Sequence, residues 1–238
     1  MKMRLDKYLS SCGIGTRTEV KKIIRSNRIS VDGNIIPQCD YKVDDTMSVL
    51  LDGKPVKYSE FIYIMLNKPQ GYLSATKDQR HKTILDLLDE KYAKMGLFPV
   101  GRLDKDTTGL VILTNDGDFA HNTLSPKKHV SKTYIAEISG TLPENATEIF
   151  NKGVTLKDFT CESADLIIEE TFNDHTLVTV TIHEGKYHQI KRMFQVVGCK
   201  VIYLKRVTFG NIKLDSNLKE GEYRLLNDSE MEFVSSVK

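Results

Sequence analysis

The sequence lacks the features that identify several large classes of protein. Its four cysteines are scattered over 238 residues without a Cys-x-x-Cys pair, and they do not cluster with the six histidines. A disulfide framework and a zinc site are therefore not indicated. No run approaches the ~20 apolar residues that span a membrane, the first residues contain no apolar signal core, and a Gly-rich phosphate loop is missing. These absences predict a cytoplasmic protein that uses no metal and no cofactor.

Positive charge is concentrated at the start of the chain. Residues 1–58 carry 11 Lys and Arg against 7 Asp and Glu, a net charge of +4, whereas residues 59–238 carry 23 against 25, a net charge of −2. The chain is long enough for one or two domains with their own cores. We therefore predict a small basic domain and a nearly neutral body, joined by a linker at residues 57–60. A basic domain suits a polyanionic partner, although a net +4 also fits an ordinary solvated surface.

Two short helices and a hairpin are predicted in the basic segment. Apolar residues at helical spacing predict a helix over residues 4–12, and a capping box from Thr16 to Glu19 opens a second helix. That helix would align four cations on one stripe: Arg17, Lys21, Arg25 and Arg28. Such a stripe is often only the solvent-exposed face of a helix, but several cations without an interleaved acid are also what a phosphate-binding helix needs. Asp32-Gly33 between alternating apolar residues then predicts a hairpin.

The basic segment resembles the small RNA-binding domain named after ribosomal protein S-four. The resemblance extends from residue 3 to about residue 58 and includes the Arg-Leu-Asp-Lys opening and the Val-Asp-Gly turn. Asn27 stands where many relatives carry glycine, but asparagine tolerates a left-handed backbone. The resemblance implies an RNA-binding domain over residues 1–58 that uses the cationic stripe.

Four polar blocks interrupt the apolar strands of the body, at residues 67–72, 101–110, 131–134 and 184–194. Taken singly, each is explained as a turn, an exposed strand or the wet face of a helix, and Asp104 by spacing alone is a turn-capping residue. Strands mixed irregularly with few helices predict an α+β fold with a largely antiparallel sheet over residues 61–238.

In combination and in this order, the blocks resemble the pseudouridine synthases that act on ribosomal RNA. Gly-Arg-Leu-Asp at residues 101–104, with Thr-Thr-Gly-Leu at 107–110, resembles the active-site motif whose Asp is catalytic. Tyr-His-Gln-Ile-Lys-Arg-Met at residues 187–193 is more similar to the small-subunit (16S) rRNA enzymes than to their large-subunit (23S) relatives. The resemblance implies an isomerase that converts one uridine of small-subunit rRNA into pseudouridine.

The resemblance also implies roles for individual residues. Asp104 would act on the sugar as nucleophile or base, and Lys191 would keep that carboxylate ionised and in place. Tyr134 would stack on the target base, with Leu204 as the apolar wall behind it. Arg102 would fill the stack vacated by the flipped uridine or contact a neighbouring phosphate.

Other residues and other functions stay open at this point. His188 and Arg192, on the same predicted helix as Lys191, would contact RNA phosphates, and Asp106 is a second acid that the motif disfavours. One alternative function is a pseudouridine synthase for large-subunit rRNA. Another is a non-catalytic ribosome-assembly factor that only binds RNA. An rRNA or its assembly intermediate is an asymmetric target, which favours a monomer.

Overall fold

The protein consists of two compact units. The computed structural model describes residues 2–56, 58 and 61–237. The first unit comprises Met1–Ile62 and Leu88–Phe98, and the second comprises Tyr63–Leu87 and Pro99–Lys238. Three residues of the predicted linker (57, 59 and 60) lie outside the described residues, so the boundary between residues 58 and 61 stays a prediction. No sequence signal indicated that Leu88–Phe98 groups with the first unit.

The first unit contains short helices and strands. Its helices are α1 (Leu5–Ser11), α2 (Arg17–Arg25) and α3 (Glu90–Ala93). Its strands are β1 (Met3–Arg4), β2 (Ile29–Val31), β3 (Asn34–Ile35), β4 (Lys42–Val43), β5 (Val49–Leu51) and β6 (Lys54–Pro55). β1 pairs with β4, and a second sheet has the order β3-β2-β5-β6. Apolar side chains of α1, α2 and these strands form a common core.

Local sequence signals account for most of this unit. The Thr16 side chain accepts a hydrogen bond from the Glu19 backbone N–H, and the Glu19 carboxylate accepts one from Thr16 N–H, which completes the predicted capping box. Asp32 and Gly33 both have positive φ, as the predicted two-residue hairpin turn requires. The predicted helix–helix–hairpin order is therefore confirmed.

The predicted stripe of four cations is one residue too long. α2 ends at Arg25, and Asn27 adopts a left-handed conformation with φ of 61°. Arg28 therefore lies outside the helix, where its guanidinium forms a bidentate ion pair with the Asp52 carboxylate. The stripe consists of Arg17, Lys21 and Arg25, which are exposed.

The second unit is built on one large mixed sheet. Its strands are β7 (Tyr63–Lys68), β9 (Thr108–Thr114), β10 (Lys132–Ser139), β11 (Asp165–Thr171), β12 (Thr176–Ile182), β13 (Lys200–Phe209), β14 (Ile212–Lys213) and β15 (Tyr223–Leu225), with β8 (Phe98–Pro99) at the boundary of the units. The strand order is β11-β12-β10-β13-β9-β7-β15, and β14 pairs with β13. The helices are α4 (Gly117–Leu124), α5 (Ala146–Lys152), α6 (Gln189–Val196) and α7 (Asp228–Val237), with 3₁₀ turns at Ile84–Leu87 and Pro126–Lys128.

This sheet confirms the predicted α+β fold and its largely antiparallel character. Within the path above, β9 and β13 form a parallel pair and the other neighbours are antiparallel. β10 alternates between buried and half-buried residues, as its sequence pattern predicts. α6 begins two residues later than the predicted start at residue 187, because His188 has a left-handed φ of 48°.

One glycine permits the parallel pairing. Gly109 is opposite Arg206 in the register of β9 and β13 and has a φ of +99°. A Cβ atom at this position would lie 2.2 Å from the Arg206 carbonyl oxygen. Only a residue without a side chain allows the two backbones to approach this closely.

None of the helices in the described residues combines the length and the apolar character that crossing a membrane requires.

Candidate active site

A cleft in the second unit brings the predicted catalytic residues together. It has a volume of about 130 Å³ and is lined by Arg102, Asp104, Tyr134, His188, Lys191 and Leu204, among others. These residues come from the loop before β9, from β10, from the start of α6 and from β13. The sequence predicted all six as site residues, although they are spread over about a hundred positions.

The Asp104 loop is held by buried hydrogen bonds from the segment after β7. The Ser74 hydroxyl donates to the Leu103 carbonyl and accepts from the Leu103 N–H, both at 3.0 Å. Gly71 N–H donates to the Lys105 carbonyl at 2.8 Å, and Thr107 N–H closes the turn onto the Asp104 carbonyl at 3.1 Å. The segment after β7, from the first polar block to Ser74, therefore fixes the backbone of the second block and holds the carboxylate in one position.

Lys68 is the most buried charged group of this support. Its side chain has 0% exposure, and its Nζ donates to the carbonyl oxygens of Pro69, Lys105 and Thr107 at 2.8–3.3 Å. Burial lowers the pKa of Lys68 to about 8, against the opposing effect of the carboxylates of Asp106 and Asp104. An ammonium group thus ties the end of β7 to the Asp104 loop.

The Asp104 carboxylate faces two groups from the start of α6. Lys191 Nζ is 3.3 Å from Asp104 Oδ2, and His188 Nε2 is 3.5 Å from Asp104 Oδ1. The left-handed conformation of His188 starts the helix here, so that both side chains reach the carboxylate. The predicted pairing of Lys191 with Asp104 is present, whereas the sequence indicated only RNA contact for His188.

Lys191 also binds a second carboxylate. Its Nζ is 2.5 Å from Asp106 Oδ1, closer than to Asp104. Burial acts to raise the pKa of Asp106, but the hydrogen bond and charge of Lys191 outweigh it and leave that pKa below its ordinary value. The Asp106 side chain is exposed, whereas the Asp104 side chain is half-buried and lines the cleft.

The sheet supplies the opposite wall of the cleft. Tyr134 is opposite Arg206 in the register of β10 and β13, and Lys132 and Leu204 lie two residues along their strands from this pair. Because side chains two residues apart share a face of a sheet, all four point into the cleft. The wall thus combines an aromatic ring and an aliphatic side chain with two cations, Lys132 and Arg206, which the sequence reasoning did not select.

The remaining predicted RNA-binding residues have different surroundings. Arg102 is exposed at the edge of the cleft. Arg192 forms an ion pair with Asp158, and its guanidinium lies over the Phe159 ring. In the described part of the chain, no ion pair involves the three cations of the α2 stripe, Arg17, Lys21 and Arg25. RNA contact by any of these residues stays a prediction.

Three buried cations were missed, and their signals were weak. Each of them follows or interrupts a run of apolar strand residues: Lys68, Lys132 and Arg206. A cation that alternates with apolar residues in a strand is equally typical of a solvent-exposed sheet face. Their burial depends on contacts with residues far away in sequence. Within the described residues, no group of three or more His, Cys, Asp or Glu side chains could hold a metal ion.

Comparisons with known proteins agree with this geometry. Residues 62–196 match the family described as RNA pseudouridylate synthase, and residues 3–47 match the S4 domain. Both resemblances drawn from the sequence motifs are therefore confirmed at the level of the family.

The relatives match over nearly the whole chain. The chain is 43% identical over 235 residues to an uncharacterized RNA pseudouridine synthase of Bacillus subtilis (strain 168), with 98% of each chain covered. It is 42% identical over 236 residues to ribosomal small subunit pseudouridine synthase A of Escherichia coli (strain K12), which covers 98% of this chain and 100% of the relative. A crystal structure of a pseudouridylate synthase superposes with a TM-score of 0.67 at 36% identity, covering 98% of this chain and 99% of the other.

Proposed function

The chain belongs to the RNA pseudouridylate synthase family, and from this membership we propose that it converts one uridine of small-subunit (16S) ribosomal RNA into pseudouridine, with Asp104 as the catalytic carboxylate. A relative at 42% identity carries the name ribosomal small subunit pseudouridine synthase A, which supports this choice of substrate. The observation that carries the proposal is the half-buried Asp104 carboxylate, which faces a cleft between Lys191 and His188.

The cleft has the parts that the reaction needs. The C1′–N1 bond must break, the base must turn, and C5 must bond to C1′ in place of N1. A carboxylate beside the sugar assists by attacking C1′ or by removing a sugar proton, and both routes need it ionised. Lys191 offsets the cost of keeping that charge in a partly buried site.

Tyr134 and Leu204 suit the base. In this proposal the uracil ring lies against the Tyr134 ring, because base–aromatic stacking contributes about 1–3 kcal/mol and tolerates rotation of the base better than directed hydrogen bonds. Leu204 closes the apolar side of the cleft. Arg102, exposed at the cleft edge, occupies the stack that the uridine leaves or binds the next phosphate.

The first unit supplies affinity in this proposal. The exposed α2 cations bind RNA phosphates, and the shape of the folded RNA selects the site. The protein works as a monomer in the cytoplasm, where rRNA and its assembly intermediates are found.

Mapping of pseudouridine in rRNA tests the proposal. Small-subunit and large-subunit rRNA from cells lacking the protein are compared with those from cells complemented with wild type, Asp104→Asn or Asp118→Asn. Asp118 is an exposed carboxylate in the first turn of α4 and serves as the matched control. We expect one small-subunit site to disappear and to return with wild type and Asp118→Asn, but not with Asp104→Asn.

Other outcomes identify the alternatives. Loss of a large-subunit site instead would indicate the sibling enzyme, and an unchanged map of both RNAs would favour the assembly factor. With purified protein at saturating RNA, Lys191→Met should slow turnover by on the order of 10²-fold, because a displacement of about 1 Å at a reacting group has an effect of this size. Wild-type turnover by this variant would remove Lys191 from the mechanism.

A further inference from the structure

Two buried cations stand in the sheet wall of the cleft. Lys132 is 9% exposed and Arg206 2% exposed, and both line the same cleft as Asp104. They share one face of the sheet with Tyr134, since Arg206 is the cross-strand partner of Tyr134 and Lys132 lies two residues before it. Neither cation takes part in the chemistry described above.

The guanidinium of Arg206 has an unused donor. Its Nε donates to the Leu110 carbonyl at 2.8 Å, and its plane lies 5.0 Å from the centre of the Phe209 ring. Its Nη2 is buried without a hydrogen-bond partner among the described residues. A guanidinium nitrogen can only donate, and buried donors are nearly always paired. The described residues supply no acceptor for this nitrogen, so a ligand in the cleft would have to provide one.

A second polar atom of the cleft is also unpaired. The Thr107 hydroxyl is buried, lines the cleft and has no partner within the described residues. An apolar ligand would leave both atoms unsatisfied, whereas a ligand with carbonyl and N–H groups would satisfy both. The pyrimidine ring has both kinds of group.

The electrostatics of the wall favour incoming negative charge. Burial, and after it the nearby charge of Arg206, lower the pKa of Lys132 to about 8, while Glu162 and Glu184 act in the opposite direction. Lys132 Nζ donates to the Val130 carbonyl at 2.6 Å. Two neighbouring buried cations that donate to neutral carbonyls rather than to carboxylates raise the electrostatic energy of this wall. Negative charge that develops between them lowers it.

The proposed reaction generates such a charge. When the C1′–N1 bond breaks, its electron pair stays on the base, so uracil detaches as an anion whose charge is shared by N1 and the ring carbonyl oxygens. C1′ receives its replacement electrons from the Asp104 oxygen or, after proton abstraction by Asp104, from the C2′–H bond. C5 of the ring then bonds to C1′. On the first route this displaces the Asp104 oxygen from C1′, and on the second route Asp104 returns its proton to C2′. C5 finally loses its proton, and N1 gains one. Both routes of Asp104 therefore pass through a detached uracil anion.

We propose that Arg206 and Lys132 stabilise this uracil anion, with Arg206 Nη2 donating a hydrogen bond to a ring carbonyl oxygen; the inference rests on the proposed function above. The base is neutral when it enters the cleft and carries negative charge only after the bond breaks. Buried, preorganised donors act most strongly on charge that appears during the reaction. An RNA phosphate is a poorer occupant, because it would bring a full charge out of water before any chemistry.

A leaving-group experiment tests the assignment. The substrate is transcribed small-subunit rRNA carrying either uridine or 5-fluorouridine at the mapped position. Single-turnover loss of that nucleoside is followed by mass spectrometry after nuclease digestion. The variants are Arg206→Gln and Lys132→Gln, with Arg206→Lys as the conservative form. Lys205→Gln is the matched control, since Lys205 is the neighbouring cation on β13 and alternates to the other face of the sheet.

The two substrates separate a catalytic role from a structural one. Fluorine at C5 withdraws electrons and stabilises the detached base by itself. We expect Arg206→Gln to slow the reaction of uridine by ~10²-fold, the usual effect of removing one donor to a developing anion. The loss with 5-fluorouridine should be several-fold smaller. Lys132→Gln should show the same trend more weakly, and Lys205→Gln should match wild type.

Three results would overturn the inference. Equal losses of rate on both substrates would mean that Arg206 only supports the fold through its hydrogen bond to Leu110. Lys132→Gln repeats the comparison in a variant that keeps this hydrogen bond. Weaker RNA binding with an unchanged rate at saturation would indicate a phosphate site. If the wild-type protein does not convert the uridine, the proposed function fails and this inference fails with it. If the wild-type protein converts it but the variants lose equal rate on both substrates, only the inference fails.

Discussion

Cations occupy opposite environments in the two units. On α2 of the first unit, Arg17, Lys21 and Arg25 are exposed. In the second unit, Lys68 and Arg206 are almost fully buried and donate to backbone carbonyls. Salt screens exposed charges strongly and buried charges weakly. We therefore expect the exposed set to control RNA affinity and the buried set to control the shape and reactivity of the cleft, although the residue types are the same.

The largest contrast is expected from removing one cation of each kind. Lys68→Met leaves the Pro69 and Thr107 carbonyls without their ammonium donor, while the Lys105 carbonyl keeps the Gly71 N–H. Unpaired buried groups cost ~1–3 kcal/mol each, and relief of the buried charge offsets part of that. We expect unfolding free energy to fall by about 2 kcal/mol, measured by urea denaturation.

The matched variant is Lys21→Met, which removes an exposed cation from α2 and should change stability by less than about 0.5 kcal/mol. Equal stability of Lys68→Met and Lys21→Met would contradict the view that the buried ammonium holds the Asp104 loop.

The second prediction concerns the exposed cations alone. Changing Arg17, Lys21 and Arg25 together to Gln should reduce the slope of log affinity against log salt by about 2, because each phosphate contact contributes roughly 0.7–0.9 to it. The rate at saturating RNA should stay at the wild-type value. Filter binding at several salt concentrations, with single-turnover assays beside it, measures both quantities.

Arg28 sharpens this prediction. Its charge is already paired with Asp52, so Arg28→Gln should lower the slope by less than the same change at Arg17, Lys21 or Arg25. An unchanged slope in the triple variant would show that phosphates contact another surface.

The smallest expected effect is a pH dependence from the cleft. The pKa of Lys132 is about 8, set by burial and then by Arg206, with Glu162 and Glu184 opposing. Its charge is present below that pH and is lost above it, so the single-turnover rate should fall several-fold between pH 7 and 9. Lys132→Arg keeps its charge throughout and should show a flatter profile. Identical profiles would assign the decrease to another group, such as Lys68, whose pKa is also about 8.

Local features of the sequence predicted much of the fold. The capping box at Thr16, the Asp32-Gly33 turn and the alternation of β10 each depend on residues close together in the chain. The α2 stripe was predicted too long because helical periodicity was extended through Asn27. The tolerance of asparagine for a left-handed backbone was the signal that the helix ends before Arg28.

The support of the site could not be predicted in the same way. The order of the motifs predicts that Asp104, Tyr134 and Lys191 share one site. The burial of Lys68, in contrast, depends on its hydrogen bond to the carbonyl of Thr107, 39 positions away. Arg206 depends on Leu110, 96 positions away. The local sequence pattern contains no information on such contacts. A cation in a strand gives the same pattern whether its face of the sheet is exposed to solvent or buried.

The close approach at Gly109 has a consequence for the dimensions of the cleft. Asp104 is five residues before Gly109 on one chain segment, and Arg206 lies directly across from Gly109 on the other. The backbone positions of Asp104 and Arg206 are thus fixed relative to each other by a covalent segment and a strand register. Because the loop that carries Asp104 and the strand that carries Arg206 are held at a fixed separation, the width of the cleft between them is limited. A methyl group at position 109 would meet the Arg206 backbone and push the two segments apart, without altering any side chain that lines the cleft.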